Sequence, residues 1–298
     1  MTIPYVNPKV SVVIPCHNRE DTVTEAVQSV LDQDFTDFEI VAVDDASTDT
    51  TLEVLRRIDD PRLRVGINSG PRGPSAARNH GVAMTRAPWV AFQDSDDIWM
   101  SDKLRRQMAR LEGSDFVAAY CGMLVKADAR PETRVQARFP GPDIDPLEGD
   151  ILPSLTNGSY ISTQMLIVRR DVFEAVGGFD EDLTALVDWE LMLRVASKGP
   201  VAFVNADLVV QRMSDNSITR SSRKRLAAQE YVLAKHAALL ARYPPALARY
   251  HHRLAGGYRM FADWPAAARH AVLALRAAPC NPRYLANAAY LCGRALFS

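Results

Sequence analysis

The sequence predicts an α/β protein with a mostly parallel sheet flanked by helices, followed by a C-terminal helical region. Short apolar runs rich in β-branched residues alternate with segments of helical periodicity through the first hundred residues. This alternation is typical of parallel strands joined by right-handed crossovers. From about residue 220 the composition changes to Ala, Leu, Arg and Tyr at helical spacing. We therefore expect an α/β domain over residues 1–219 and a basic helical region over residues 220–298.

Periodicity predicts the elements of the first third of the chain. Strands buried on both faces are continuous apolar runs, whereas amphipathic helices repeat apolar residues three and four positions apart. The predicted order is strand Val10–Pro15, helix Thr22–Leu31, strand Glu39–Val43, helix Asp49–Ile58, strand Leu63–Ile67, helix Pro74–Met84, strand Trp89–Gln93 and a helix from Ser101 to Leu111. In such sheets, ligands bind beyond the carboxyl ends of the strands.

The elements beyond residue 111 are predicted from weaker signals. The sequence indicates strands at Phe116–Val125, Met165–Val168, Val201–Val204 and Leu208–Gln211, helices at Asp171–Val176 and Asp188–Ser197, and a long loop over Arg130–Pro153. Loops of that length are often functional. Three or four helices are expected in the C-terminal region, one of them capped by Asp263 with Pro265 in its first turn.

Composition narrows the class of protein. The chain has 298 residues, 47% of them hydrophobic and 24% charged, which are values of a globular protein. Four scattered cysteines without a CxxC pair argue against a disulfide scaffold or a zinc site. We expect a cytoplasmic protein because the sequence shows neither a secretory leader nor an apolar run of transmembrane length.

The net charge of −1 conceals a strong asymmetry along the chain. Residues 1–219 carry 22 Lys and Arg against 34 Asp and Glu, whereas residues 220–298 carry 13 against 2. The basic helices could contact the inner face of a membrane peripherally, or they could pack on the acidic domain and neutralise it. Nucleic acid is not an expected partner because basic and aromatic residues are not interleaved. The densest basic cluster is Arg220, Arg223, Lys224 and Arg225.

Two acidic clusters follow predicted strands. Asp44 and Asp45 end the second strand, and Asp94, Asp96 and Asp97 follow the fourth. Since the carboxyl ends of parallel strands lie at one edge, both clusters should face the same crevice. Oxygen ligands suit Mg²⁺ or Mn²⁺, and Mg²⁺ usually takes one or two carboxylates together with substrate phosphates. The alternative is that each cluster is a solvated turn that caps the following helix.

Four motifs occur in order over residues 9–105: VSVVIPCHNRE, VAVDDASTD, GPSAARNHG and WVAFQDSDDIW. Together they resemble the signature of family 2 glycosyltransferases with the GT-A fold. The resemblance implies a GT-A-like sheet and an inverting transferase. Such an enzyme moves a sugar from a nucleoside diphosphate sugar, most commonly a UDP-sugar, to a hydroxyl of a glycan or lipid-linked acceptor in cell-surface polysaccharide synthesis. It also implies a divalent cation, Mg²⁺ or Mn²⁺.

The resemblance implies roles for residues of the donor site. Asp45 matches the acid that binds the nucleobase. Pro15 and His17 fall in the loop that packs around the base, where the family usually has a tyrosine at the position of His17. Arg78 matches a basic residue of the nucleotide pocket, and its guanidinium suits phosphate or ribose contacts. A surface ion pair is the alternative role for Arg78.

The same resemblance assigns residues to the metal and the sugar. Asp97 is expected to be the metal ligand, and Asp96 to contact the sugar or ribose. Arg212 is expected to bind the diphosphate, with a strand-end salt bridge as the alternative. Family members often have an Arg-x-His sequence here, and this chain has Ser214 at the histidine position.

Asp188 is the expected catalytic base. The segment Val187-Asp188-Trp189-Glu190-Leu191 resembles the family's ED-W-D/E-L motif, with Val187 in place of the glutamate. In the family, the aspartate often deprotonates the acceptor. Val187 could make the surroundings of Asp188 drier, which would raise the pKa of the base toward a useful value. The alternative is that Asp188 only caps its helix.

Other nucleotide-dependent functions are disfavoured. A nucleotidyltransferase or a Rossmann oxidoreductase would normally carry a glycine-rich loop after the first strand, and the segment Pro15-Cys16-His17-Asn18 contains no glycine. A non-catalytic nucleotide-sugar-binding subunit of a glycan-assembly complex stays open as the alternative. Only Val187 and Ser214 favour it, whereas the retained acids favour an enzyme.

Overall fold

The computed structural model describes residues 8–213 and 222–297, which fall into two compact units. The first unit comprises residues 8–152, 159–182 and 187–213, and the second comprises residues 153–158, 183–186 and 222–297. The boundary predicted between residues 219 and 220 lies outside the described residues, as do the N-terminal residues 1–7, Ser214 and Arg220.

A mixed sheet of nine strands in the described residues forms the framework of the first unit. The strands are β1 (Val10–Cys16), β2 (Phe38–Asp44), β3 (Leu63–Ile67), β4 (Trp89–Phe92), β5 (Ile98–Trp99), β6 (Ala118–Lys126), β7 (Val135–Phe139), β8 (Ile167–Arg169) and β9 (Val201–Arg212). Their order is β3-β2-β1-β4-β8-β6-β9-β5, with β7 paired to β6. The first four strands are mutually parallel, and β8 then pairs antiparallel with both β4 and β6. The predicted α/β class is confirmed.

Helices connect the strands of this unit. They are α1 (Val23–Leu31), α2 (Thr51–Arg56), α3 (Pro74–Met84), α4 (Lys103–Leu111), a 3₁₀ helix (Thr163–Met165), α6 (Arg170–Ala175) and α7 (Val187–Ala196). The short α5 (Leu152–Leu155) begins at the last residue of the first segment of this unit, and its other residues belong to the second unit. Strands β1 and β2 are buried along their whole length, which explains their continuous apolar sequences. Helix α1 buries the stripe that its periodicity predicts, from Val23 to Leu31.

The structure differs from the prediction in three strands. β5 has only two residues, too few for a periodicity signal. β7 lies inside the predicted loop Arg130–Pro153, and its side chains are exposed or half-buried, so it shows no apolar alternation. The two strands predicted within residues 201–211 are one strand, β9, whose pairing with β6 shifts register at Gly122. A Cβ at Gly122 would lie 2.7 Å from the carbonyl oxygen of Ala206, so only glycine fits this approach.

The second unit is helical. Its helices in the described residues are α8 (Ser222–Lys235), α9 (Ala237–Leu240), α10 (Pro244–Met260), α11 (Trp264–Ala277) and α12 (Pro282–Ala295). The single-turn α9 makes five helices where the sequence predicts three or four. The Asp263 side chain accepts a hydrogen bond from the Ala266 N–H at 3.1 Å, as the predicted cap requires. Small buried residues pack the helices closely, among them Ala255, Ala267 and Ala288.

Two further expectations concern cysteines and membrane spans. All four cysteines are free thiols. None of the helices in the described part of the chain combines the length and the hydropathy that a membrane crossing requires.

Candidate active site

The loops that follow β1 and β2 are tied to each other. Cys16 and Asp44 are paired in register at the ends of the two strands, and the Asp45 N–H donates to the Cys16 carbonyl at 2.8 Å. The Nδ1 atom of His17 donates to the carbonyl oxygen of Asp45, also at 2.8 Å. Pro15 is buried in β1 beside Val43, whereas His17 is exposed. The three residues expected around a nucleobase, Pro15, His17 and Asp45, therefore lie together.

The Asp45 carboxylate is held in place by the protein. Its Oδ1 atom accepts from the Asn68 side chain at 2.7 Å, and its Oδ2 atom accepts from the Gly73 N–H at 2.7 Å. Gly73 has a φ of 125°, a conformation that favours glycine. Because these donors come from the end of β3 and the start of α3, the orientation of Asp45 is fixed by the fold. The side chain is 6% exposed.

Arg78 connects α3 to the acidic turn after β4. Its Nη2 atom donates to Asp94 Oδ1 at 2.5 Å, and its guanidinium carbon lies 5.5 Å from the centre of the Phe179 ring. The side chain is buried. The ion pair given as the alternative is thus formed, although by a buried arginine and not at the surface. A role of Arg78 in the nucleotide pocket stays a prediction.

Asp96 and Asp97 are neighbours in very different surroundings. Asp96 lies 3.3 Å from an Arg19 nitrogen, and its side chain is 26% exposed. Asp97 is 2% exposed, and both of its oxygens are occupied. The Gln164 side chain donates to Asp97 Oδ2 at 2.8 Å, and the Arg212 backbone N–H donates to Oδ1 at 2.9 Å.

Crowding of these acids changes their proton affinities. Burial raises the pKa of Asp96, and the charge of Asp94 raises it further. Burial, followed by the charges of Asp94 and Asp96, raises the pKa of Asp97 well above its usual range. A positive charge bound at this turn would oppose both effects.

The oxygen donors of this turn suit a divalent cation that binds together with a diphosphate. In the described residues, no group of three or more His, Cys, Asp or Glu side chains forms a complete metal cage. A Mg²⁺ ion at a nucleotide site needs only one or two carboxylates, since phosphates and water supply the remaining ligands. Asp94 and Asp96 offer the more exposed oxygens, and a metal on Asp97 would share an oxygen with Gln164 or Arg212.

Several buried polar atoms of this unit have no hydrogen-bond partner among the described residues. They are Asp44 Oδ1, Ser75 Oγ, Arg78 Nε, Gln93 Oε1 and Arg212 Nε. These residues lie at the ends of β2, β4 and β9 and in the first turns of α3. Buried polar atoms in folded proteins almost always have partners. A polar ligand, or water that it displaces, would supply the missing donors and acceptors at this edge of the sheet.

Arg212 is the last residue of β9 and joins the acidic turn through its backbone. Besides the bond to Asp97, its Nη2 atom lies 2.6 Å from Glu25 Oε2. Its side chain is 17% exposed, whereas that of Glu25 is 62% exposed. The strand-end salt bridge given as the alternative is thus present. A role in diphosphate binding stays a prediction, and the unpaired Arg212 Nε is available for it.

Asp188 lies in the first turn of α7, beside the 3₁₀ helix. Its Oδ1 atom accepts from the Trp189 N–H at 2.7 Å and is 3.4 Å from the Ser159 hydroxyl. The helix begins one residue before Asp188, and the carboxylate accepts from an N–H of its first turn, as the capping alternative requires. The role of Asp188 as the base stays a prediction. A narrow gap adjoins Asp188, with Thr163 and Phe179 among its walls. Since Gln164 follows Thr163 and bonds to Asp97, the 3₁₀ helix lies between the acidic turn and Asp188.

Sequence reasoning missed several residues that support the site. Asn79 is one of them, because its side chain brackets the backbone of Phe179, accepting from its N–H at 2.8 Å and donating to its carbonyl at 2.9 Å. Asn79 could have been found from the sequence, because it follows Arg78 directly in the motif GPSAARNHG. Arg19 and Gln164 were missed as well, and Gln164 lies in a segment whose pattern predicts no element.

Comparison with known proteins identifies the family. Residues 11–177 match the model of glycosyl transferase family 2. The succinoglycan biosynthesis protein ExoO of Rhizobium meliloti (strain 1021) is 39% identical over 107 residues, which are 36% of this chain and 31% of ExoO. The Escherichia coli protein WfaP, named as a UDP-Glc:alpha-D-GlcNAc-diphosphoundecaprenol beta-1,3-glucosyltransferase, is 26% identical over 228 residues, 75% of this chain and 85% of WfaP. The chain spans about a third of ExoO and of the uncharacterized glycosyltransferase of Rickettsia felis (strain ATCC VR-1525 / URRWXCal2).

Solved structures share the fold. S. aureus TarS 1–349 in complex with UDP-GlcNAc has a TM-score of 0.71 at 18% identity, covering 96% of this chain and 88% of that chain. The mannosyltransferase PcManGT of Pyrobaculum calidifontis, in complex with GDP-Man and Mn²⁺, has a TM-score of 0.63 at 21% identity, covering 100% of this chain and 82% of that chain. These similarities confirm the predicted GT-A-like fold. Because the family model also covers more than half of the chain, the protein belongs to glycosyl transferase family 2.

Proposed function

We propose that the chain transfers a sugar from a nucleoside diphosphate sugar to a hydroxyl acceptor with inversion at the anomeric carbon. The edge of the sheet carries this proposal, because buried polar atoms without partners meet an acidic turn and a buried arginine there. The names of similar proteins support a nucleotide-sugar donor, since they mention UDP-Glc, UDP-GlcNAc and GDP-Man. Among these nucleotides, UDP is the one we expect.

The donor would bind along the ends of the first strands. The Asp45 carboxylate, fixed by Asn68 and Gly73, would accept an N–H of the nucleobase with its remaining lone pairs. Pro15 and the exposed His17 ring would pack around the base. The Nε atom of Arg78 would reach the ribose or a phosphate. The planar guanidinium suits both contacts.

The acidic turn would hold a Mg²⁺ or Mn²⁺ ion together with the diphosphate. When bound, such an ion supplies positive charge that stabilises the leaving diphosphate. The more exposed Asp96 is the better placed ligand, and Asp97 would ligate only by sharing an oxygen with a protein donor. The Arg212 side chain, mostly buried beside this turn, would add a second positive charge.

Asp188 would act as the base. It would take the proton from the acceptor hydroxyl while that oxygen attacks the anomeric carbon from the face opposite the nucleotide. A single displacement of this kind inverts the configuration. The names of ExoO, of WfaP and of TuaG, a putative teichuronic acid biosynthesis glycosyltransferase, point to an acceptor on a glycan or a lipid-linked saccharide in polysaccharide synthesis. A peripheral contact of the basic C-terminal helices with the inner face of a membrane belongs to the same proposal.

A thermal-shift panel tests the donor site. UDP, GDP, TDP and CMP are each added with and without Mn²⁺ to wild type, Asp96→Asn and Asp182→Asn. A ligand present at 100 times its Kd raises the free energy of unfolding by about 2.7 kcal/mol. This increase raises the Tm by several degrees. We expect one nucleotide to raise the Tm in the presence of metal, with the rise lost in Asp96→Asn and kept in the exposed control Asp182→Asn. No rise with any nucleotide would refute the proposed donor site.

A further inference from the structure

Large apolar side chains are exposed to solvent at one end of the helical unit. Met260 and Phe261, at the turn between α10 and α11, are 83% and 40% exposed. Leu296 and Phe297, after α12, are 81% and 92% exposed. We call these four residues the apolar tip. Soluble proteins seldom expose several neighbouring large apolar side chains without a partner.

Packing of the helices brings the four residues of the tip to the same end. Short turns join α10 to α11 and α11 to α12, so the end of α10, the start of α11 and the end of α12 are neighbours. Arg294 in α12 confirms this, because its guanidinium carbon lies 4.4 Å from the ring centre of Trp264 at the start of α11. Arg223 near the start of α8 likewise lies 5.4 Å from the Phe261 ring centre.

The charge around the apolar tip is positive. Residues 222–297 carry 12 Lys and Arg but only two acids, Glu230 and Asp263. Glu230 accepts hydrogen bonds from Tyr258, Arg269 and His270, and Asp263 caps α11. Both acids are therefore engaged within the unit. Arg223, Arg259 and Arg294, all exposed, surround the tip.

We propose that the apolar tip inserts into an anionic lipid surface, with the surrounding arginines on the lipid headgroups. Protruding Met, Phe and Leu side chains bordered by arginine are the combination that binds at a membrane interface. Each Lys or Arg near an anionic surface also strengthens binding. The inference rests on the proposed membrane contact and gives it a surface. It is independent of the transfer chemistry. Of the basic cluster that begins at Arg220, it places Arg223 at the proposed contact.

Vesicle flotation of the full chain tests the tip. Vesicles of phosphatidylcholine alone are compared with an equal mixture of phosphatidylcholine and phosphatidylglycerol. We expect binding to the anionic vesicles, weakened at least about tenfold in Met260→Ser/Phe261→Ser because apolar area no longer leaves water. The matched control is Leu285→Ser, which removes a 57% exposed apolar side chain in the first turn of α12, at the other end of the helices.

A second pair of variants separates local charge from total charge. Arg259→Gln/Arg294→Gln removes two cations at the tip, and Arg276→Gln/Arg283→Gln removes two at the opposite end of the same helices. We expect about thirtyfold weaker binding to anionic vesicles for the first pair. For the second we expect about twofold at most, because those charges lie farther from the lipid than the Debye length of about 8 Å at physiological salt.

Three outcomes would overturn the inference: no binding to anionic vesicles, binding that the tip variants leave unchanged, or equal losses in the two charge pairs. Self-association that disappears in Met260→Ser/Phe261→Ser while no vesicles bind would instead make the tip an interface between copies of this chain. The nucleotide-induced rise in Tm should persist in every tip variant, because the variants leave the donor site intact. Its absence in wild type as well would count against the proposed function and not against the tip.

Discussion

Replacing Gln164 by methionine should destabilise the protein and weaken metal-dependent donor binding. Gln164 is fully buried, and its amide donates to Asp97 Oδ2 at 2.8 Å. Methionine fills a similar volume but cannot donate. The Gln164 backbone carbonyl, which accepts from the Trp99 indole at 3.1 Å, is unaffected by the change. The substitution therefore removes one bond and leaves a buried carboxylate oxygen without its donor.

The size of the effect follows from the burial of the acceptor. A buried polar group that loses its hydrogen-bond partner costs about 1–3 kcal/mol of stability. Each kcal/mol shifts the Tm of a domain of this size by about 2–4 °C, so a loss of about 2 kcal/mol lowers the Tm by about 4–8 °C. The chain offers a matched control in Gln28, whose amide donates to Asp32 Oδ1 at 2.7 Å on the exposed face of α1. Gln28→Met removes the same kind of hydrogen bond, from an amide to a carboxylate, at a solvent-exposed position. It should lower the free energy of unfolding by no more than about 0.5 kcal/mol.

Thermal melting and a nucleotide titration with Mn²⁺ measure the two consequences. Since Asp97 also holds the Arg212 backbone, a carboxylate that loses Gln164 should release the end of β9 from the acidic turn. We expect the Kd of the nucleotide to rise several-fold in Gln164→Met and to stay constant in Gln28→Met. If the two variants melt within a degree of each other and bind alike, the bond between Gln164 and Asp97 does not organise the site.

Further substitutions test the catalytic base, the loop before α7 and the helical unit. Asp188→Asn should reduce release of nucleoside diphosphate in the presence of acceptor by about 10²–10⁴-fold and leave nucleotide binding intact. Gly178→Ala should destabilise the chain in urea by about 2–3 kcal/mol, because Gly178 has a φ of 68° and its Cβ would lie 2.7 Å from Asn79 Oδ1. Gly177 has a φ of 84°, but a Cβ there would meet no atom within 4 Å. Gly177→Ala should therefore lower the free energy of unfolding by only about 1 kcal/mol. Burial lowers the pKa of His251 from 6.5 to about 4. The folded state therefore resists this protonation, and stability that is complete above pH 6.5 should decline as the pH falls toward 4.

Each of these predictions has a definite contrary result. Full activity of Asp188→Asn would remove Asp188 from the mechanism. Equal urea midpoints for the two glycine variants would show that the approach of Asn79 imposes no constraint. For the helical unit, circular dichroism is followed at pH 7 and pH 5 in wild type and His251→Gln. A wild-type Tm that does not fall with pH, or falls equally in the variant, would contradict the role of His251.

The part of the fold that the sequence predicts well is the part where burial is uniform. β1 and β2 are covered on both faces, so their sequences are unbroken apolar runs and their limits were predicted to within one residue. β7 could not be predicted because its side chains are exposed or half-buried and therefore show no apolar alternation. The strand is recognised only by its backbone pairing with β6. The sequence predicts two strands in place of β9 because a polar segment at residues 205–207 interrupts the apolar pattern. In the structure, β9 continues through this segment and pairs with β6 on both sides of Gly122.

The candidate site follows a similar rule. Asp45, Arg78 and the acidic turn could be predicted because they follow strands or open a helix within motifs of the family. Gln164 could not be predicted, because its part in the site comes from a contact 67 residues away in sequence. The same limit applies to burial, since the sequence places Asp96 and Asp97 side by side and does not show which of them is covered.

That difference in burial gives two adjacent carboxylates different partners. Asp96 keeps contact with solvent and shares one ion pair with Arg19, so a cation can reach its oxygens. Asp97 accepts one bond from the 3₁₀ helix and one from the end of β9, so it joins three segments that are distant in sequence. Burial and mutual repulsion raise the pKa values of both carboxyl groups, so their ionised forms are disfavoured at this turn. Among the described residues these carboxylates do not form a complete metal cage. The proposed donor fits this turn because a diphosphate supplies the remaining ligands of a Mg²⁺ ion. We therefore propose that Asp97 holds the turn in place through its two hydrogen bonds and that Asp96 contacts the bound cation.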